Sequence, residues 1–155
     1  MKRSEIMIAL GSDHAGLPLK KVIMEYLDEL KLDYKDYGTY SNQSVHYPEY
    51  GLKAAQAVAS GECEKGIIFC GTGVGISITA NKVKGIRCVN CSEPYSAQMS
   101  REHNDANMLA LGSRVVGDEL AKMIVKIWLE TSFLGDRHQI RVDQIKEIDE
   151  TGEIK

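Results

Sequence analysis

Cys70 and the glycine-rich loop after it form the segment of this sequence best suited to chemistry. Cys70 ends the apolar run GIIFC, and residues 71–75 read GTGVG. Such glycines let backbone N–H groups point inward as an anion-binding nest, and the helix predicted from Ile76 adds its positive end. A thiol beside an electropositive turn is favoured as a thiolate. The pattern therefore predicts that Cys70 is a nucleophile or a general base, with an inert buried thiol as the alternative.

Two familiar uses of such a loop do not fit the spacing. The glycines follow G-x-G-x-G, whereas a dinucleotide-binding turn reads G-x-G-x-x-G and a P-loop ends in G-K-[ST]. A tyrosine-phosphatase loop would place an arginine six residues after the cysteine, where this chain has Ile76. The spacing thus argues against nucleotide binding and against phosphatase chemistry at this loop.

Two short polar pairs lie at the ends of other predicted elements. Asp13 and His14 follow the first predicted strand, where they are either pocket residues or a helix cap beside a surface histidine. His103 and Asn104 end a predicted helix before the fifth strand, where a helix cap or a turn is the alternative. All four are candidates for the functional site because of these positions.

Arginines near the carboxyl terminus are candidates for binding an anion. Arg137 and Arg141 are four residues apart and share one face of a predicted helix, with His138 between them. Like charges on one face repel unless an anion or an acid faces them, and a guanidinium fork matches phosphate oxygens. Arg114, after the fifth predicted strand, would add a third positive group. The pattern indicates either a phosphate clamp or a solvated basic edge.

The composition argues against several classes of protein. The chain has 155 residues, of which 43% are hydrophobic and 26% charged, and this favours one folded domain over residues 1–155. The net charge of −3 argues against nucleic-acid binding, so an anionic ligand must be held by a local basic cluster. There is no apolar run of membrane-spanning length and no signal-peptide pattern at the start, which predicts a cytoplasmic protein with no membrane partner.

The four cysteines, at positions 63, 70, 88 and 91, are predicted to be reduced thiols in that compartment. Cys88 and Cys91 form a single C-x-x-C, whereas a structural zinc site needs two such pairs or added histidines. The segment IRCVNC has the pattern of a buried strand. We therefore expect small core residues there and no metal site.

Strand-like apolar runs alternate with helical patterns along the whole chain. Five strands are predicted, over 6–10, 33–37, 66–70, 86–90 and 108–111. Helices are predicted over 17–30, 48–60, 76–82, 94–103, 118–130 and about 136–150, followed by a loose tail over 151–155. This order predicts an α/β fold, a single Rossmann-like three-layer domain with a five-stranded parallel sheet and helices on both faces. In such sheets ligands bind beyond the carboxyl ends of the strands, where the candidate loops fall.

The predicted helix over 118–130 is unusually apolar. Eight of the ten residues in its segment LAKMIVKIWL are apolar, more than a helix with one face in water requires. We therefore expect two buried faces, one against the sheet and the other against a second subunit.

Four segments of the chain resemble one enzyme family. GSDHAG, CGTGVGISITANK, SEPYSAQMSREHNDANMLALGSRVVG and DRHQIR resemble ribose-5-phosphate isomerases of the B type, a family that includes galactose-6-phosphate and allose-6-phosphate isomerases. The likeness extends from about Ile6 to Ile148. It implies a Rossmann-like subunit and the isomerisation of a sugar phosphate between aldose and ketose, without metal or other cofactor. It also implies a homodimer, sometimes paired into a tetramer, with the active site at the subunit interface.

The resemblance implies a role for each candidate residue. Cys70 would be the general base that moves a proton between C1 and C2, and His103 the acid/base that opens the sugar ring, supplied with Asn104 by the neighbouring subunit. The amides of loop 71–75 would stabilise the enediolate, and Thr72 would assist proton movement at the oxygens. The residues that would bind the substrate are Asp13, His14, Tyr47, Gly71, Gly73, Val74, Gly75, Asn104, Arg114, Arg137 and Arg141.

The resemblance leaves the substrate open. One branch of the family lacks the cysteine and uses a glutamate six positions later; this chain has Cys70 and Ile76, so it resembles the cysteine branch. Ribose 5-phosphate is the expected substrate, and a six-carbon sugar phosphate or a free rare aldose is the alternative. A non-catalytic module that binds a nucleotide or sugar phosphate is the alternative from another class.

Overall fold

Five parallel strands form one sheet in the computed structural model, which describes residues 6–155. The prediction about a signal peptide involves residues 1–5 and lies outside the described residues. The sheet order is β2-β1-β3-β5-β4, and every neighbouring pair is parallel, which confirms the predicted fold class. The strands are β1 (Met7–Ser12), β2 (Asp33–Asp36), β3 (Lys65–Cys70), β4 (Cys88–Asn90) and β5 (Met108–Gly112).

Helices cover both faces of this sheet, as predicted. They are α1 (Leu17–Glu29), α2 (Tyr47–Ala59), α3 (Val74–Ala80), α4 (Pro94–Glu102), α5 (Asp118–Glu130) and α6 (Arg137–Thr151). Alternate residues of each central strand face opposite sides, so Phe69 packs with α1 and α5 whereas Ile68 packs with α2 and α3. None of the helices in the described part of the chain is both long and apolar enough to cross a membrane.

The strand order creates a crevice between the carboxyl ends of β1 and β3. These neighbouring strands are in register, with Ser12 opposite Phe69, yet the chain continues from β1 to one side of the sheet and from β3 to the other. Loops that diverge in this way leave the space in which open α/β sheets bind ligands. The edge of the sheet where the strands end is called the carboxyl edge below, and the opposite one the amino edge.

Two predictions about individual elements are wrong. The segment read as a buried strand over 86–90 forms only the three-residue β4, which lies at the edge of the sheet and leaves Cys88 half-buried. Thr151, assigned to a loose tail, is the last residue of α6, and the amide of Lys155 donates back to the Glu147 carboxylate. The other boundaries moved by one or two residues, the most consequential being the start of α3 at Val74.

Helix α5 buries one side within the subunit, and its second buried face, expected against another subunit, stays a prediction. Its residues Ile124, Val125 and Trp128 are buried within the subunit, where α5 contacts α1 and α4. Part of the apolar surface of α5 is therefore covered by helices of the same chain. Of the apolar residues in α5, Met123 is the large one that stays exposed.

Candidate active site

A cavity of about 440 Å³ lies at the carboxyl edge, over the crevice between β1 and β3. Its walls are the loop after β1, the loop after β3, the start of α2 and the turn after β5. It is lined by Asp13, His14, Ala15, Tyr47, Cys70, Gly71, Thr72, Val74, Gly75 and Arg114. Nine of these ten residues were expected from the sequence, and Ala15 was not.

Cys70 is the buried floor of this cavity. Its thiol is reached by the backbone amide of Gly73, which donates to Sγ at 3.1 Å. Gly73 has a left-handed backbone, with φ of +84°, which aims its amide back at the sulfur. Sγ is thus the acceptor of this hydrogen bond. The geometry therefore suits a proton acceptor at this position.

The rest of the loop is organised around Thr72. Its hydroxyl Oγ1 accepts a hydrogen bond from the amide of Val74 at 3.1 Å, so the turn into α3 is closed by a side chain. Gly112 must be a glycine, because an added Cβ would lie 2.5 Å from the Thr72 carbonyl atoms. Two of the amides predicted to form the nest, those of Gly73 and Val74, are thus engaged within the loop itself.

The loop after β1 presents an acid and a histidine to the same cavity. The Asp13 carboxylate is buried and accepts the amide of Gly16 at 2.8 Å, which holds the first turn before α1. The Nδ1 atom of His14 accepts a hydrogen bond from the backbone amide of Val45, 3.1 Å away. A neutral imidazole with an acceptor at Nδ1 carries its proton on Nε2. His14 can therefore donate from Nε2 to a bound anion.

Tyr47 and Arg114 reach the cavity because two loop glycines leave room for them. A Cβ on Gly75 would lie 2.6 Å from the Tyr47 ring, and a Cβ on Gly71 would lie 3.3 Å from Nη1 of Arg114. Tyr47 is the first residue of α2 and is partly exposed. These two glycines are needed for close approach and not for an unusual backbone angle.

The remaining predicted residues lie at the other end of the sheet. Helices that connect parallel strands run back to the amino edge, so His103 and Asn104, at the end of α4, precede β5 there. Arg137 and Arg141 begin α6 beside them, since the amide of Leu134 bonds to the carbonyl of Glu102 at 3.1 Å. A strand of five residues such as β5 separates the two edges by roughly 16 Å.

This second group contains one histidine that sequence reasoning treated only as a spacer. The rings of His103 and His138 are stacked, with centroids 4.2 Å apart and an interplanar angle of 12°. Burial, the neighbouring His103 and the guanidinium groups of Arg137 and Arg141 lower the pKa of His138. His138 and Val142 are the two buried residues of α6, so the sequence signal was the four-residue spacing of this histidine from an apolar residue on one helix face.

Metal binding finds no support in the described residues. No group of three or more His, Cys, Asp or Glu side chains in 6–155 comes close enough to hold an ion. The cavity instead offers a thiol, an acid, a donor histidine and one arginine around an amide-rich loop. These features define an α/β protein whose cavity, at the switch point of its sheet, suits a small anionic molecule held against a cysteine.

The comparisons with known proteins place the chain within one family. The family model described as ribose/galactose isomerase matches residues 8–145, nearly the whole chain. The protein belongs to the ribose/galactose isomerase family, which confirms the resemblance seen in the sequence.

Individual relatives agree with this family. The chain is 57% identical to ribose-5-phosphate isomerase B of Escherichia coli over 143 residues, which cover 92% of this chain and 96% of that protein. It is 41% identical to the D-erythrulose-4-phosphate isomerase of Pectobacterium atrosepticum, over 90% of this chain and 93% of that one. Among solved structures, the ribose-5-phosphate isomerase B of Clostridium thermocellum matches with a TM-score of 0.93 and 54% identity, over 96% of this chain and 100% of that one.

Proposed function

We propose that this chain interconverts ribose 5-phosphate and ribulose 5-phosphate through an enediolate, with Cys70 as the general base. The observation that carries the proposal is the Cys70 thiol on the floor of the cavity, with the amide of Gly73 aimed at Sγ from 3.1 Å. The identity of 57% with the Escherichia coli enzyme supports the choice of sugar.

The reaction is a proton transfer between two neighbouring carbons. In the aldose, the thiolate of Cys70 removes the proton on C2, and the electrons move to O1 to form the enediolate. The same proton then returns to C1, while a proton moves from O2 to O1, a transfer that Thr72 is placed to assist. Preorganised donors at the developing oxyanion are each worth about 2.7–4 kcal/mol in other enzymes. The loop amides that are not engaged by Cys70 or Thr72 are the proposed donors.

The cavity holds only part of the proposed phosphate site. His14, through Nε2–H, and Arg114 lie in it, whereas Arg137 and Arg141 lie at the amino edge of the same subunit. Fixing the phosphate at a distance from C1 and C2 lets binding energy orient the reacting carbons.

A second copy of the chain would complete the site. His103, Asn104, Arg137 and Arg141 cannot reach Cys70 across the sheet of their own subunit, so the proposed roles require the partner's amino edge to meet the carboxyl-edge cavity. A two-fold homodimer would form two such sites from one pair of surfaces. A tetramer would be a pair of these dimers.

Free thiols at all four cysteines support the cytoplasm as the location.

Replacing Cys70 with alanine tests the chemistry. We expect kcat on ribose 5-phosphate to fall about 10²–10⁴-fold, the usual contribution of a general base, with sugar-phosphate binding retained in calorimetry. Cys63→Ala, at a buried thiol away from the cavity, is the matched control and should keep its activity. Near-normal turnover by Cys70→Ala would refute the role.

Binding without exchange of the C2 proton in the unmodified chain would identify a non-catalytic module instead. Equal or better kcat/KM on allose or galactose 6-phosphate would replace the proposed sugar.

Mixing two inactive variants tests the shared site. Cys70→Ala and His103→Asn homodimers should recover about a quarter of the unmodified activity after subunit exchange, because half of the dimers then contain one intact site of two. No recovery, with exchange demonstrated by a mass tag, would show that each site is built from one subunit.

A further inference from the structure

The stacked pair of His103 and His138 joins two elements at the amino edge. His103 caps α4 and His138 lies in the first turn of α6, with their rings nearly parallel. His138 is only 7% exposed, although it belongs to a helix whose surface is otherwise mostly in water. The loop that leads from α5 into α6 is tied to α4 by Arg101, whose Nε donates to the carbonyl of Thr131 at 3.2 Å. The stack is therefore held from both sides by ordered backbone.

The charges around His138 disfavour protonation of its ring. His103 faces it from the end of α4, Arg137 and Arg141 flank it on α6, and Asp136 is the one nearby acid. Burial and the three basic neighbours lower the pKa of His138, against the smaller opposing effect of Asp136. Two imidazolium rings in this stack would repel each other. Burial and this stack therefore favour the uncharged form of His138.

We propose that His138 is a positioning residue for His103, giving it a flat and uncharged surface that fixes the plane of its imidazole. This inference rests on the proposed function, in which His103 opens the sugar ring. There His103 gives a proton to the ring oxygen as the bond from C1 to that oxygen breaks, while the proton of the C1 hydroxyl passes to a solvent water and C1 becomes the aldehyde. A ring that could rotate about its side-chain bonds would present its proton in the wrong direction.

The proposal predicts an effect that depends on whether the substrate is cyclic. Ribose 5-phosphate closes through its C4 hydroxyl and must be opened before C2 can lose its proton. In a four-carbon aldose 4-phosphate that hydroxyl carries the phosphate, so no such ring forms. The second substrate needs Cys70 but has no need of an oriented His103.

The experiment compares these two substrates in His138→Ala and His138→Phe. We expect His138→Ala to lower kcat/KM on ribose 5-phosphate about tenfold, within the roughly 10²-fold that a 1 Å misplacement can cost. On D-erythrose 4-phosphate the change should stay below about twofold, because only ring opening depends on the plane of His103. His138→Phe keeps a flat, neutral ring and should restore most of the loss, and it also serves if the alanine variant folds poorly.

A double-mutant cycle in the His103→Asn background gives an independent readout. If His138 acts through His103, then His138→Ala has no further effect once His103 is gone. Equal losses on both substrates, an unchanged loss in the His103→Asn background, or full activity of His138→Ala on ribose 5-phosphate would each overturn the proposal. An unmodified chain that isomerises neither substrate would refute the proposed function itself, which is a different result.

Discussion

Replacing Gly73 with alanine should damage catalysis far more than folding. Gly73 has a φ of +84°, and its Cβ would lie 2.4 Å from Oδ1 of Asn90 and 3.0 Å from the backbone carbon of Leu111. Ordinary contact begins near 3.4 Å, so the loop or the Asn90 side chain must move by up to about 1 Å, and the Leu111 backbone pushes the loop itself away. That retreat of the loop carries away the amide that contacts the Cys70 thiol.

The size of the effect follows from these distances. A left-handed backbone costs an L-residue about 1–2 kcal/mol, which is the expected loss of stability from the backbone angle alone. A displacement of about 1 Å at the reacting group costs on the order of 10²-fold in rate. We therefore expect kcat on ribose 5-phosphate to fall about 100-fold in Gly73→Ala, measured at enzyme concentrations where circular dichroism shows the variant to be folded.

Gly85 is the matched control for this prediction. Its φ is +90° and nothing lies within 4 Å of an added Cβ, so Gly85→Ala carries the same backbone strain without a clash. It should lose similar stability and keep its activity. Adding Asn90→Ala to Gly73→Ala removes the nearest clash and should recover part of the rate. Equal kinetic losses in the Gly85 and Gly73 variants would refute the reasoning, because backbone strain alone would then explain them.

Two further predictions concern the buried ion pair beside the site. Lys20 is fully buried and bonds to Asp36 at 2.6 Å, so Lys20→Met should cost about 3 kcal/mol in urea denaturation, near the lower limit for a broken buried pair because Asp36 keeps some contact with water. Lys35→Met, at an exposed pair, should leave the free energy of unfolding unchanged within error, and equal losses would contradict the argument from burial. Burial lowers the pKa of Lys20 in the folded chain from its usual value of about 10.5. Between the folded and the unfolded pKa of Lys20, the unfolded chain therefore binds more protons than the folded chain, so stability rises with pH there. The stability advantage of the unmodified chain over Lys20→Met should therefore grow as pH rises towards 10.5 and shrink as pH falls, and a flat difference across that range would contradict this.

The fold could be read from the sequence wherever the pattern was local. The buried run GIIFC, the helical spacing of 17–30 and the glycine-rich loops after the first and third strands predict a doubly wound parallel sheet without any information from distant contacts. The predictions failed where burial depends on neighbours far along the chain. β4 has an apolar sequence but lies at the sheet edge, where only one strand pairs with it.

The site could be predicted as a set of residues but not as an arrangement. Motif spacing identified Asp13, His14, Cys70 and Arg114, and the cavity brings these together because they all follow carboxyl ends of central strands. The same kind of reasoning identified His103 without showing that it lies at the opposite edge. Its stacking on His138 could not be seen in the sequence, because the two residues are joined by the packing of α6 beside α4.

The sequence by itself determined the chemistry that this protein can perform and the sheet that supports it, because residue types, glycine positions and hydrophobic periodicity are local properties. The tertiary structure decided which of those groups share a cavity. Every helix that connects two parallel strands ends at the amino edge. His103 therefore lies at the edge opposite Cys70 within one subunit, although the proposed reaction needs both residues at one site. The physical reason for this separation is that a parallel sheet is rigid and no side chain can reach from one of its edges to the other.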